Sequence, residues 1–135
     1  MKAEAASPWE LDFIVSRTSC ALTSGARAIK AVDNHGHIRG MVAYDGWTEA
    51  AVFAHMAVDT PIAWRALLPA CFEYPFIECG RRVLCGVIPA HNTASWGMAK
   101  HLGFRVAHAI KDGWAQGDDL LLLELRREDC RFVRC

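Results

Sequence analysis

The sequence has 135 residues, 53% of them hydrophobic, which is enough to bury one core and too little for two, so we expect a single domain over 1 to 135. Lysine plus arginine and aspartate plus glutamate number 15 each, without blocks of like charge, and this balance argues against nucleic acid as a partner. Acidic residues interrupt the N-terminus where a signal peptide needs an apolar core, and no apolar run reaches membrane-spanning length, so we expect a cytoplasmic protein without a membrane partner.

The six cysteines form no C-x-x-C pair and no cysteine–histidine pattern at zinc-finger spacing. Cys71 and Cys85 fall within apolar patterns typical of small core residues, whereas Cys130 and Cys135 lie in a C-terminal tail that we expect to be mobile. The turn histidines also have no partner at ligand spacing: His35, His37 and His91. We therefore predict no metal site.

Residues 1 to 25 form a short N-terminal segment. Pro8 suits the first turn of a helix, and Leu11, Ile14 and Val15 follow at helical spacing, which predicts a helix over about 9 to 18. Apolar patterning then predicts an antiparallel meander of three strands over 26 to 32, 38 to 47 and 50 to 58, joined by Asn/Gly and Asp/Gly turns.

Two details of the next segment matter for packing. Gly40 indicates a bulge or a close backbone approach inside the second strand of the meander. After the meander, Thr60 and Pro61 are expected to start a helix over 61 to 73, which Pro75 kinks or ends. The apolar face of this helix consists of Trp64, Leu67, Leu68 and Cys71.

Residues 83 to 88 are a continuous apolar run, which predicts a strand covered on both faces. Asn92 or Thr93 is expected to cap a helix over 93 to 102, which ends at Gly103. A half-buried strand over 104 to 111, a loop and a last strand over 120 to 125 complete the chain.

These elements predict an α/β (α+β) fold with a mixed, mostly antiparallel sheet of about six strands and helices on both faces. The strands at 50 to 58 and 82 to 88 should be the parallel pair, because a right-handed crossover helix joins them.

The segment that includes Val87, Asn92, Ser95 and Leu102-Gly103-Phe104 resembles the C-terminal half of the GNAT superfamily, the acyl-coenzyme A-dependent N-acetyltransferases. The resemblance covers about residues 26 to 131. It implies acetyl-CoA as co-substrate and acetyl transfer to a primary amine of a small molecule or a protein. The short N-terminal segment implies an open acceptor site, or one that a second subunit completes in a homodimer.

In that family a glycine-rich loop after the fourth strand and the helix that follows hold the pyrophosphate. The glycine-rich loop is absent here. The resemblance therefore implies that the phosphates bind at the start of the helix near Pro61, through backbone N–H groups and the charge of Arg65. Trp64 has an alternative interpretation as a core aromatic residue. The negative charge of Asp59 would disfavour binding of an anion at this helix start. The expected phosphate contacts are Ile62, Ala63, Trp64 and Arg65.

The resemblance further places Asn92 against the pantetheine arm, although Asn92 is equally well explained as a plain helix cap, and it makes Ser95 a cofactor-binding candidate. The N–H groups of Ala57 and Val58 are expected to polarise the thioester carbonyl. The family's usual tyrosine acid is replaced by Ala99, and groups that could substitute for it are Ser95, His101 and Tyr74.

His55 lies in an apolar strand, and an unperturbed imidazole titrates near neutrality, which makes His55 the candidate general base; the alternative is a structural core histidine. Two functions therefore stay open at this point. One is an N-acetyltransferase, and the other is a GNAT-like binding or interaction module that has lost turnover.

Overall fold

The computed structural model describes residues 1–133, in which seven strands form one sheet in the order β1-β2-β3-β4-β5-β7-β6. All neighbouring strands are antiparallel except β4 and β5, so the expected mixed sheet with one parallel pair is confirmed. The strands are β1 (Lys2–Ala5), β2 (Arg27–Val32), β3 (Ile38–Asp45), β4 (Ala51–Val58), β5 (Val83–Pro89), β6 (Arg105–Ala115) and β7 (Asp118–Arg126).

The strand that sequence analysis missed is β1, which pairs with β2 from Lys2 opposite Val32 to Ala5 opposite Ile29. It alternates charged residues with alanine and is mostly exposed. The residues of β1 therefore show no apolar periodicity that would predict a strand. Its position depends instead on its hydrogen bonds with β2.

One face of the sheet carries α1 (Asp12–Thr18), which follows a 3-10 turn at Pro8–Leu11 and packs the fully buried Ile14 against Met41 and Ala43. The opposite face carries α2 (Ile62–Leu67), α3 (Ala70–Glu73) and α4 (Thr93–Leu102) over the main core. Helices on both faces are thus confirmed. Within residues 1–133, no helix is long and apolar enough to cross a membrane.

The predicted continuous helix over 61 to 73 is wrong. Leu68 is extended and Pro69 follows it, so the helical path stops at Leu67 and restarts at Ala70. A residue before proline is disfavoured in the helical region because of the proline ring, and the sequence interpretation overlooked Pro69. Pro75 does not end the path either, because it lies inside a π-helical turn at Tyr74–Glu78.

Gly40 fulfils both sequence expectations. The register between β2 and β3 shifts beside it, and α2 approaches it closely. A Cβ atom built on Gly40 would lie 2.9 Å from the Cβ of Ala63 and 3.0 Å from a methyl carbon of Val58. Glycine is needed here because any side chain would push α2 away from the sheet.

Two strands are less covered than expected. In β5 one face is buried, but Val87 on the other face is 38% exposed, and every residue of β6 is exposed. The reason is that α1 packs mainly on β3 and β4. The loop expected after 111 is also wrong, because β6 continues through it to Ala115.

The C-terminal segment is packed rather than mobile up to the last described residue. Cys130 is buried in the main core, and the ring of Phe132 stacks on Phe72 at a centroid distance of 5.0 Å. The expectation of a mobile tail is therefore wrong for Cys130, while Cys135 lies outside the described residues.

Candidate functional site

A cleft separates β4 from β5 towards their carboxyl ends. The two strands pair only at Ala51 with Val83, Val52 with Leu84, and Phe53 with Cys85. Beyond these pairs β4 stays bonded to β3 as far as Val58, and β5 stays bonded to β7 as far as Pro89. The sheet therefore divides into two halves that diverge after three residue pairs.

Hydrogen bonds fix which backbone groups face this cleft. The carbonyl oxygen of Ala50 accepts from the N–H of Arg82, towards β5, whereas the N–H of Asp59 donates to the carbonyl of Arg39, towards β3. Successive residues of a strand direct these groups to alternate sides. Even-numbered residues of β4 therefore present their backbone to the cleft.

This alternation corrects one of the expected carbonyl contacts. The N–H of Val58 points into the cleft as its assignment requires, but the N–H of Ala57 points towards β3, opposite Met41. Met56 is the second cleft donor, and sequence analysis missed it. The sequence alone predicts the strand but not its register with β3. Only the register shows whether the odd- or the even-numbered residues direct their N–H groups to the cleft.

Gly86 marks an unfilled space beside the point where the strands diverge. It is buried, yet a Cβ atom built on it would meet one heavy atom within 4 Å, the carbonyl oxygen of Ala54 at 3.8 Å. Glycine inside a strand often marks a place where a ligand approaches the backbone. The cleft thus extends onto the face that carries α2 and α4.

His55 lies on the α1 face of β4, opposite Ala43, at the start of the diverging segment. Burial lowers the pKa of its imidazole, and the nearby Asp45 carboxylate partly opposes that effect. The neutral form is therefore favoured at neutral pH. A neutral imidazole beside an open cleft is able to accept a proton.

Asp45 is a buried acidic residue on the same face. It lies opposite Phe53, which is two residues before His55 on β4. Its carboxylate accepts the backbone N–H of Thr23 at 2.6 Å and the Thr23 hydroxyl at 2.7 Å. Burial alone would raise the pKa of Asp45, but these hydrogen bonds outweigh it and hold the pKa below its usual value. Asp45 thus supplies a fixed negative charge near His55.

The start of α2 offers fewer donors than expected. The N–H of Ala63 donates to the Thr60 carbonyl at 3.0 Å, and that of Trp64 donates to the Pro61 carbonyl at 3.1 Å. Ala63 is buried, and the Trp64 ring packs against the core as its alternative interpretation held. Of the expected phosphate contacts, Ile62 and Arg65 therefore remain the better placed.

Asp59 does not leave an uncompensated charge next to α2. Arg17 of α1 holds both carboxylate oxygens, with Nε and Nη2 each at 2.8 Å. The hydrogen bond with Arg17 lowers the pKa of Asp59. Sequence analysis missed this pair because 42 residues separate its members.

On the other side of the cleft, Asn92 caps α4. Its Oδ1 accepts the N–H of Ser95 at 3.1 Å, so the structural interpretation of Asn92 is confirmed. The amide nitrogen of Asn92 makes no hydrogen bond within the described chain, which leaves a donor for a ligand. Ser95 is exposed on the first turn of α4.

His91 and Asp118 were also missed as a pair. His91 Nδ1 hydrogen bonds to the Asp118 carboxylate, and the same carboxylate accepts the His91 backbone N–H at 3.2 Å. The pair fixes the loop between β5 and Asn92. Their separation of 27 residues gives no sequence signal.

Two of the groups considered for the acid role lie away from the cleft. Tyr74 precedes β5 and packs on Tyr44 at a ring distance of 5.2 Å. His101 is at the C-terminal end of α4, where its carbonyl accepts from Arg131. Ser95 is the one that remains close to Asn92.

Several solved structures with the same fold are named as N-acetyltransferases. A mutant form of the spermidine/spermine N-acetyltransferase SpeG from Vibrio cholerae aligns with a TM-score of 0.76 and 11% identity, over 94% of this chain and 95% of that one. The chain has the GNAT fold. A protein assigned as a phosphinothricin N-acetyltransferase aligns at 0.71 and 15% identity, over 93% and 97% of the two chains.

The GNAT resemblance seen in the sequence is thus confirmed at the level of the fold. No protein-family model matches this sequence, and a search of curated proteins found no match.

Proposed function

We propose that this chain is an N-acetyltransferase that transfers an acetyl group from acetyl-CoA to a primary amine. The observation that carries the proposal is the divergence of β4 and β5 after Phe53 and Cys85, with His55 at its edge. The neighbouring folds support the reaction class, since two of them are named for amine acetylation.

The residues of the cleft fit acetyl-CoA. The N–H groups of Met56 and Val58 would donate hydrogen bonds to the carbonyl oxygen of the thioester, and a bound thioester supplies the activated acetyl group. Ile62 and Arg65 would contact phosphate, and Asn92 and Ser95 would contact the pantetheine arm from α4. Donors that face a developing negative charge on oxygen contribute strongly to acyl transfer because they are fixed before the reaction.

His55 acts on the acceptor. The amine nitrogen forms a bond to the acetyl carbon while the carbon–sulfur bond breaks, and the imidazole of His55 takes the proton that the amine loses. Its lowered pKa keeps the imidazole neutral and ready for this step. Ser95 or water would return a proton to the departing sulfur, because Ala99 has no acidic group.

The second candidate function is a GNAT-fold binding module without turnover. It is favoured by the α2 start, where the N–H groups of Ala63 and Trp64 are already bonded, and by Ala99 at the acid position. Such a module would keep the cleft and bind acetyl-CoA or a related ligand without releasing products.

Thermal unfolding with and without acetyl-CoA tests the proposal. A ligand that binds only the folded chain stabilises it by about 2.7 kcal/mol at a hundredfold excess over its dissociation constant. Absence of any shift at millimolar acetyl-CoA would refute ligand binding. A shift without acetyl transfer to any amine of a broad panel would support the binding module instead.

His55→Ala then tests the base. We expect the rate to fall by about a hundred- to ten-thousandfold, with a smaller loss as pH rises and the amine deprotonates itself. Equal impairment at every pH would leave His55 as a structural residue. The expected homodimer and the cytoplasmic location stay predictions.

A further inference from the structure

The face of β5, β7 and β6 on the side of α1 is uncovered, and we name it the open face. Its centre is apolar: Val87 is 38% exposed and Ile110 is 43% exposed. Leu120 and Leu122 between them are half-buried. Arg105 and Glu124 form its rim, joined by an ion pair at 2.6 Å.

Strand register makes the open face continuous. Leu122 lies between Val87 on β5 and His108 on β6, and Leu120 lies between Pro89 and Ile110. Side chains directly opposite one another on neighbouring strands touch across the sheet. The open face is therefore one patch with an apolar centre and a charged rim, which is how recognition surfaces for polypeptides are built.

The open face adjoins the base side of the cleft. Cys85 is opposite Phe53, and His55 is the next residue on that face of β4. The corresponding next residue on β5 is Val87. A ligand on the open face thus reaches His55 by crossing the divergence between the two strands.

The size of the open face decides between occupants. Three strands at a spacing of about 4.8 Å and seven residues at about 3.3 Å give an area of about 220 to 330 Å². A stable pair of folded proteins needs about 800 Å² per partner. The open face is too small for a second copy and matches an extended segment of about six residues.

A small acceptor fits this side less well. Small-molecule sites enclose most of the ligand surface. Two surface cavities of the described chain lie away from His55, one between Lys2 and Asn34 and the other between Ile77 and Phe132. Beside His55 the chain offers an open sheet face.

We propose that the acceptor is a polypeptide whose extended segment docks on the open face and directs its amine to His55. This inference rests on the proposed function for the acetyl transfer and adds the substrate class to it. The segment would carry apolar side chains at alternate positions, because alternate side chains of an extended chain point to the same side.

The test uses a fluorescein-labelled octapeptide with lysine at position four and leucine at alternate positions after it, beside a copy with serine in place of leucine. Binding is measured by anisotropy, and acetylation is compared with that of butylamine. Ile110→Glu places a charge on the open face. Val106→Glu is the matched control, because Val106 is 39% exposed on the opposite face of the same strand.

We expect Ile110→Glu to weaken binding of the leucine peptide at least tenfold and to raise the ratio of peptide KM to butylamine KM at least tenfold. Val106→Glu should change neither value more than twofold. His108→Glu is a second open-face variant, at an exposed position, in case Ile110→Glu folds poorly.

Equal peptide binding by Ile110→Glu and Val106→Glu would overturn the proposal. A dimer in sedimentation velocity that only the open-face variants dissociate would overturn it too, since the face would then join two copies. Failure of the proposed function is read separately, as loss of the thermal shift with acetyl-CoA, while anisotropy still decides whether the peptide docks.

Discussion

Arg17 on α1 and Asp59 at the end of β4 form a two-point ion pair, with both nitrogen–oxygen distances at 2.8 Å. The pair fastens the helix on one face of the sheet to the loop that starts α2 on the other. It also neutralises the carboxylate of Asp59, which lies three residues before Ile62, the first of the expected phosphate contacts.

Removing Arg17 should weaken acetyl-CoA binding more than it weakens the fold. An exposed ion pair contributes about 0–1 kcal/mol to stability, but Arg17→Ala leaves Asp59 charged beside an anion. We expect the Kd for acetyl-CoA, measured by calorimetry, to rise severalfold, and the double variant Arg17→Ala/Asp59→Asn to recover most of the affinity. The control is Lys30→Ala on β2. It removes the ion pair between Lys30 and Glu10, whose nitrogen–oxygen distance is 2.7 Å. An equal loss of acetyl-CoA affinity in Arg17→Ala and in Lys30→Ala would contradict the charge argument.

His55 should make stability depend on pH in a defined direction. Its pKa in the folded chain lies below the unfolded value of about 6.5, so the unfolded chain takes up the proton first as pH falls. Stability is complete above about pH 6.5 and is lost as pH falls through the folded pKa. We expect the Tm of the native protein to drop relative to His55→Gln between pH 7 and pH 5, with parallel curves above pH 7. The reverse order would mean that Asp45 dominates over burial.

Gly86→Val should fill the space at the divergence of β4 and β5. A Cβ atom there meets only the Ala54 carbonyl oxygen at 3.8 Å, and valine favours strands, so the fold should tolerate it. We expect an unchanged or higher Tm and at least a tenfold rise in the Kd for acetyl-CoA. The matched control is Gly97→Val on α4, where an added Cβ meets nothing within 4 Å. Unchanged affinity in Gly86→Val would place the ligand elsewhere.

Cys71 should resist alkylation until the chain unfolds. Burial raises the pKa of its thiol to about 12, and the side chain has no exposed surface. The thiolate is the reactive form, so iodoacetamide at pH 8 should leave Cys71 unmodified in the native protein and modify it in urea. Peptide mass spectrometry compares it with the half-buried Cys79. Similar rates at the two sites in the native protein would contradict the packing described for α3.

The sequence predicted elements well where a local pattern decides the structure. The apolar run of β5, the cap at Asn92 and the glycine after α4 placed both elements within one residue of their observed bounds. Each of these signals acts over a few residues, so no knowledge of the neighbouring strands is needed.

The same reasoning failed where distant parts of the chain decide. Residue patterns do not show that β6 is an exposed edge, that β1 pairs with β2, or that Met56 rather than Ala57 faces the cleft. Pair partners such as Arg17 with Asp59 are set by the folded topology. The candidate base His55 was accessible to sequence analysis because its chemistry stands out within an apolar strand.

The three residue pairs between β4 and β5 have a consequence for motion. On the side of α2 and α4 the main core spans both half-sheets, with Val52 and Leu84 fully buried in it. On the other side the smaller core around Ile14 covers only the first half. The two halves therefore share less packing on the side of His55 than on the side of α2 and α4, and we expect any opening of the cleft to begin there.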